Sequence, residues 1–310
     1  MNRIWRSIGR LGGSDASSTS QLLFDGYQMA YKLLHRALID QQRTNVYERE
    51  WDILIVLDAC RPDLLERVES EYSFLDNRDS VLSVGSASLE WIEKTFVDDY
   101  GDEIAGTAYV TGNVKSNLAF EGGELYSLDE VWKYSWDEEI GTIRPRPITD
   151  RAIHTWRDEH PKRMIVHYMQ PHFPSIRQPE LGSAQFRDLT GGDWKTVSIW
   201  DELRAGKQDF ETVWAAYLDN LRVALDDVEL LLESIDADRV VLTADHGNAV
   251  GEWGFYDHPG YHPLPALREV PWVETNATAT REYEPASYDR SVELNADQVE
   301  SRLRNLGYVE

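Results

Sequence analysis

The chain has 310 residues, with 31 Lys or Arg against 55 Asp or Glu, a formal net charge of −24. A surface this acidic repels phosphate, which excludes general nucleic-acid binding. Hydrophobic residues make up 42%, and the length suffices for one large α/β domain or two small ones.

At the N-terminus, Arg3, Trp5, Arg6 and Arg10 form a basic–aromatic patch without a continuous apolar h-region, so no secretory signal is expected. Such a patch is more often a frayed or docked end than a membrane contact. No apolar run in the sequence approaches the ~20 residues of a membrane span, and the expected location is the cytoplasm. The acidic residues are spread along the chain rather than gathered in a tail. That pattern suits a solvation strategy in a salt-rich cytosol, where salt screens their repulsion, better than a specific basic partner.

Residues 11–19 are rich in Gly and Ser and read as flexible. Over 20–45, Leu22, Leu23, Tyr27, Ala30, Tyr31, Leu33, Leu34 and Leu38 recur at helical spacing and predict an amphipathic helix. Residues 52–58, "DILIVLD", predict a strand apolar on both faces, the mark of a central parallel strand. Pro62 suits the first turn of a helix reaching 69. Cys60, the one cysteine, excludes an internal disulfide and reads as a small packed residue. "SVGSASLEWIEKTF" (83–96) predicts a loop entering a helix, and 107–113 a short strand. Residues 149–160 are helical, 163–169 form a strand, and 173–207 read as a long surface excursion. A long helix over 208–234 turns Val213, Tyr217, Leu221, Ala224, Leu225, Val228 and Leu232 inward. Residues 239–244 give the last strong strand, and 299–308 a closing helix.

Strands alternating with helices predict an α/β fold, a predominantly parallel central sheet with helices on both faces. In such sheets ligands bind beyond the carboxyl ends of the strands. Three predicted strands deliver polar groups there: Asp58 after the first, His172 after 163–169, and Asp245-His246 after 239–244. Carboxylates and imidazole are ligands that divalent metals choose. Alone, Asp58 reads equally well as a helix cap.

"DILIVLDACRPD" together with "VVLTADHGNAVGEWGFYDH" (240–258) resembles the alkaline phosphatase superfamily, in particular its sulfatase-like branch. "HYMQPHFP" (167–174), "REVPWVE" (268–274) and the terminal "RLRNLGYVE" are similar to further segments of that family. The likeness covers roughly residues 50–310, so 1–49 read as a tail and helix preceding a catalytic domain. It implies an alkaline-phosphatase-like fold and a metal-dependent hydrolase or transferase of phosphate or sulfate esters. Asp58, Asp245 and His246 would bind one divalent ion, Mn²⁺, Zn²⁺, Mg²⁺ or Ca²⁺. The ligand pattern for a second ion is incomplete, because His172 stands where an Asp is expected. The nucleophile would open a helix and touch the metal. Ser86 is the first choice, because Glu90-Trp91 follows at the offset of Glu–aromatic pairs in phosphoglycerol-transferase-like relatives; Ser88 is the second, with an ordinary N-cap as its alternative. His172 and His258 would bind the anion or protonate the leaving oxygen. His167 and Glu252 read as structural, and Lys115 and Arg61 as cations that could balance substrate charge.

The formylglycine code of sulfatases proper is absent: Ser88 stands at the Pro position and Glu90 at the Arg position relative to Ser86. Plain serine attack on phosphorus is therefore the simpler chemistry. The expected partner is an anionic ester, with a glycan or lipid as its organic part. The rival from another class is an inactive relative that binds an anionic glycan or a protein.

Overall fold

Seven strands make the central sheet of the computed structural model, which describes Gly26 and residues 43–120, 122–181, 184–187 and 194–307. In chain order they are β1 (Ile53–Leu57), β2 (Arg78–Leu82), β3 (Thr107–Thr111), β4 (Ser127–Glu130), β5 (Arg163–Tyr168), β6 (Ala237–Thr243) and β7 (Glu269–Ala277). Across the sheet the order is β2-β7-β6-β1-β5-β3-β4. All pairings from β6 to β4 are parallel, whereas β7 is antiparallel to both β6 and β2. Only β7 therefore runs against the rest, and the other six strands present their carboxyl ends on one edge. The predominantly parallel α/β architecture predicted from the alternation of strands and helices is the one observed.

β1 lies at the centre, and all five of its residues are buried. Fully burying a Val, Leu or Ile side chain contributes about 1.5–3 kcal/mol, so this strand is an anchor for both faces. The helices that bear on the site are α1 (Pro62–Glu66), α2 (Ser88–Thr95), α3 (Pro145–His154), α4 (Phe210–Ser234) and α5 (Ala296–Asn305). α4 starts where Asp209 accepts from the Thr212 N–H, and the seven residues predicted to face inward are all buried. Among the described residues no helix is long and apolar enough to cross a membrane.

Several boundaries differ from expectation, for local reasons. α3 begins at Pro145, not 149, because a proline at N1 has its φ pre-set for the helix. It widens into a π turn over Thr155–Glu159 and ends at His160, whose φ of 50° is left-handed. α5 starts at Ala296 behind an Asn295/Gln298 capping box, ahead of the predicted 299. β2 escaped prediction: Arg78 and Asp79 are exposed and its apolar pattern is too short to register. The 173–207 excursion holds a short helix, Ile199–Arg204, and a ribbon pairing Ala184–Arg187 with Trp194–Val197. The helix expected over 20–45 and the N-terminal basic patch lie outside the described residues, apart from Gly26 and 43–45. There Thr44 makes a parallel bridge to Ser83.

Candidate active site

β1 and β6 are neighbours in parallel register, with Val56 opposite Thr243, so Asp58 and Asp245 leave the sheet at the same level. Ala59, at φ 62°, turns the chain away after Asp58. Its N–H donates to Asp245 Oδ1 (3.1 Å), and the His246 N–H donates to the same oxygen (2.9 Å). His246 Nδ1 lies 2.7 Å from the Gly247 carbonyl oxygen, so Nδ1 carries the proton and Nε2 the lone pair. That Nε2 is 3.5 Å from Asp58 Oδ1 and 3.4 Å from Asp245 Oδ2. Gly247 admits no side chain: a Cβ there would stand 2.2 Å from the Ala266 carbonyl oxygen. The glycine of Asp-His-Gly is thus a steric requirement of the turn.

One ligand atom each from Asp58, Asp245 and His246 lies within 4.8 Å of the others, and all three residues are fully buried. Two carboxylates and an imidazole fit a divalent metal site. Burial pushes His246 down to about 4, which keeps it in the neutral, ligating form. Burial raises the Asp245 carboxyl, but His246 and His167 outweigh it and hold it below the usual carboxylate range. Asp245 Oδ2 is buried and makes no hydrogen bond among the described residues. An ionised oxygen left this way costs several kcal/mol unless a cation meets it.

A second layer orients the ligands. Asn113, just past β3, donates from Nδ2 to Asp58 Oδ2 (2.7 Å), while its Oδ1 accepts from the Lys115 N–H (2.8 Å). His167, in β5, places Nε2 3.6 Å from Asp245 Oδ2 and Nδ1 2.7 Å from the Tyr109 hydroxyl. It is buried as expected, and it also faces an acid of the cluster.

The two serines part company. Ser88 is the first residue of α2 and is fully buried. Its Oγ lies 3.3 Å from Asp58 Oδ2 and 3.2 Å from His246 Nε2. Ser86, the first choice from the sequence, points elsewhere. Its Oγ is 2.9 Å from both Glu90 Oε2 and the Pro259 carbonyl oxygen, and it accepts from the His262 N–H (2.9 Å). None of these partners belongs to the acid–imidazole cluster. The Glu90 that recommended Ser86 in the sequence is its structural tether. The N-cap alternative for Ser88 does not hold either, since Ala87 is the N-cap.

His258 stacks on His246 with ring centroids 4.7 Å apart, and His172 meets His258 edge-on at 5.0 Å. His258 Nδ1 lies 3.0 Å from Asn248 Oδ1 and 2.8 Å from Asp257 Oδ1, so it is the protonated nitrogen. His172 stands between two cis peptide bonds, Gln170–Pro171 and Phe173–Pro174. Asn220, buried within α4, donates to the carbonyl oxygens of His172 (3.1 Å) and Pro174 (3.0 Å) and accepts from the Ile176 N–H (2.8 Å). Burial and the neighbouring His258 push His172 down to about 3. Asn113, Asn220 and Asn248 were missed in the sequence, because an isolated Asn carries no periodic or motif signal. Arg61 is engaged by Asp63 (2.8 Å) and Glu252 (2.7 Å), which makes it structural rather than a substrate cation, and Glu252 bonds within its loop as expected. Lys115 is half-buried, and burial lowers its ammonium. Cys60 is buried and packed, and burial raises its thiol.

No family model matches this sequence, and no curated protein matches it. Solved structures do. The integral membrane lipooligosaccharide phosphoethanolamine transferase A (EptA) from Neisseria meningitidis superposes with a TM-score of 0.50 at 13% identity, covering 77% of this chain and 50% of that one. The chain has an alkaline-phosphatase-like fold. It spans half the length of that structure. Weaker neighbours include the zinc complex of the C-terminal periplasmic domain of EptC from Escherichia coli, at 10% identity, 85% and 84% coverage and TM-score 0.42. Another is BT4656 bound to its substrate D-glucosamine-2-N,6-O-disulfate, at 14% identity, 84% and 77% coverage and TM-score 0.43. The superfamily resemblance drawn from the motifs thus agrees with the fold. The cytoplasmic expectation does not stand: the structure on which this fold superposes is that of an integral membrane protein. That expectation rested on the missing h-region, the absence of a long apolar run and the spread of acidic charge, none of which fixes a location.

Proposed function

We propose that this protein is a metal-dependent enzyme that cleaves or transfers a phosphate ester through Ser88. The observation that carries the proposal is the Ser88 hydroxyl, 3.2 Å from His246 Nε2 and 3.3 Å from Asp58 Oδ2, at the N-terminus of α2. Nucleophilic hydroxyls need a lowered pKa, and anionic esters need N–H donors and positive charge. The first N–H groups of α2 have no acceptor within the helix and supply donors. A divalent ion held by Asp58, Asp245 and His246 would supply Lewis acidity, favouring the alkoxide and neutralising the anion.

Ser88 Oγ, its hydroxyl proton passed to water, attacks phosphorus in line, forming a P–O bond to serine as the P–O bond to the leaving oxygen breaks. The leaving oxygen takes a proton from His258, whose Nδ1 is fixed by Asn248 and Asp257 so that Nε2 is the exchanging nitrogen. His172, pinned by Asn220, holds the anion from the other side of His258. Water or an acceptor alcohol then reverses the step and frees the serine. A phosphorus centre is preferred to sulfur because the residues around Ser86 and Ser88 lack the formylglycine code. A fold kept for binding alone has no need of two buried acids and an imidazole with Nε2 turned toward them.

The test is turnover of nitrophenyl phosphate, bis-nitrophenyl phosphate and nitrophenyl sulfate with Mn²⁺ or Zn²⁺. A phosphate ester is cleaved, chelation stops it, and Ser88→Ala lowers kcat by on the order of 10³ or more, whereas Ser86→Ala lowers it less than about tenfold. Full turnover by the Ser88→Ala variant would remove the proposed nucleophile.

A further inference from the structure

A second buried charged group lies beside the site without touching it. Glu90, in the first turn of α2, is 1% exposed, and Arg268, just before β7, is 3% exposed. Their side chains meet at 2.8 Å, Arg268 NH2 to Glu90 Oε1. Each partner then reaches two different segments. Arg268 donates to the Val84 carbonyl oxygen (2.8 Å) from NH1 and to the His262 carbonyl oxygen (2.8 Å) from Nε. Glu90 Oε2 accepts from the Ser86 N–H (2.9 Å) and from the Tyr261 N–H (2.8 Å). Both residues thus join the 83–88 loop, which ends in Ser88, to the 258–262 loop, which starts with His258. Ser86 Oγ, between Pro259 and His262, closes the same junction.

The 258–262 loop carries a strained residue. Tyr261 is 51% exposed and has a left-handed φ of 56°. Strain of this kind costs about 1–3 kcal/mol and persists only where surrounding bonds fix it. Gly85 lets the 83–88 loop pack against its own helix α2, since a Cβ there would stand 2.6 Å from the Trp91 nitrogen. A buried ion pair is a poor source of net stability but a strict device for geometry.

We propose that Glu90 and Arg268 are positioning residues, an ionic clasp that sets Ser88 on one loop against His258 on the other. The proposal rests on the reading of Ser88 and His258 as reacting groups. Glu90→Gln is the informative change. Arg268 and Lys94 approach one carboxylate oxygen, and the Ser86 and Tyr261 amides the other. All are donors, so a glutamine NH₂ must face donors whichever way it turns.

The wild-type esterase assay comes first: no metal-dependent cleavage there means that the proposed function fails. With an active wild type, Glu90→Gln lowers kcat at least about tenfold while KM and Zn²⁺ affinity stay within about threefold, because substrate and metal groups are untouched. Lys94→Ala, which leaves both loop contacts intact, stays within about twofold. Hydrogen exchange gives a readout independent of activity: Glu90→Gln accelerates the amides of 85–88 and 260–262 together and leaves β1 unchanged. Wild-type kcat in a folded Glu90→Gln protein, or loosening of only one loop, overturns the clasp. If Glu90→Gln does not fold, Ser86→Ala stands in, with the same paired exchange signature and a kcat loss of about three- to tenfold; unchanged exchange and kcat in that variant overturn the clasp equally.

Discussion

Asp245→Asn should stabilise the metal-free protein and destabilise the metal-loaded one. The ligating oxygens of Asp58 and Asp245 lie no more than 4.8 Å apart. At an effective dielectric constant of about 20, two unit charges at that separation repel by about 3.5 kcal/mol. Asparagine removes this repulsion and can keep its carbonyl oxygen on the Ala59 and His246 N–H groups, which donate to Asp245 Oδ1 at 3.1 and 2.9 Å. Those bonds lose their charge assistance, at about 1 kcal/mol each. The net gain is about 1–2 kcal/mol, a rise in Tm of about 2–5 °C in chelator. With metal the order reverses. Free ion at about 100 times Kd stabilises the wild type by about 2.7 kcal/mol, and a variant that no longer binds gains nothing. Thermal unfolding of both proteins, in chelator and across a Zn²⁺ or Mn²⁺ titration, reads both halves. A variant less stable than wild type in chelator, and raised equally by metal, would refute the assignment of Asp245 to a cation site.

Two further outcomes follow from the surroundings of the cluster. Asn113→Ala removes the 2.7 Å bond that orients Asp58, and metal affinity measured by calorimetry should fall about 10- to 100-fold with the fold intact. Acid should release the Glu90–Arg268 pair. Burial raises the Glu90 carboxyl, but Arg268 and Lys94 outweigh burial and hold it down to about 2, from an ordinary 4.5. Its folded pKa lies below its unfolded one, so the stabilisation is complete above about pH 4.5 and is lost as pH falls through about 2. The full effect is about 3 kcal/mol. Urea unfolding at about pH 5 and about pH 3 should show the wild type losing its advantage over Glu90→Gln; a constant difference between the two would contradict the shift.

The parts of this molecule that were legible in the sequence are those with a repeating physical signal. β1 and β6 are apolar on both faces and end in acids, and α4 has a full helical stripe, so their positions were predictable to within two residues. Asp58, Asp245 and His246 stood out because strand ends in parallel sheets converge on one edge. Ser86 and Ser88 could not be separated that way. They differ by two residues at a loop-to-helix junction, where the end of the loop decides which hydroxyl faces the cluster. Glu90 was visible as a neighbour of Ser86, but its partner Arg268 lies 178 residues away, at the end of a short helix, Pro265–Arg268, that leads into an antiparallel strand periodicity did not reveal. Asn113, Asn220 and Asn248 act through single hydrogen bonds, which leave no pattern in a lone sequence.

The net charge of −24 sharpens the case for a cation at this centre. Long-range repulsion of an anionic ester by surface carboxylates is screened over about 8–10 Å at physiological salt. Inside the site that screening is absent, because Asp58 and Asp245 are fully buried. His246 is neutral there, and Arg61, the nearest guanidinium in sequence, is already occupied by Asp63 and Glu252. The N-terminal dipole of α2 contributes only about half a positive charge. Two ionised carboxylates therefore outweigh the fixed positive field, and a phosphate approaching Ser88 would be repelled. A divalent ion would reverse the sign at that point, where the Ser88 hydroxyl lies 3.3 Å from Asp58 Oδ2. The acids that would repel an anionic ester are thus the ones that would recruit the charge needed to hold it.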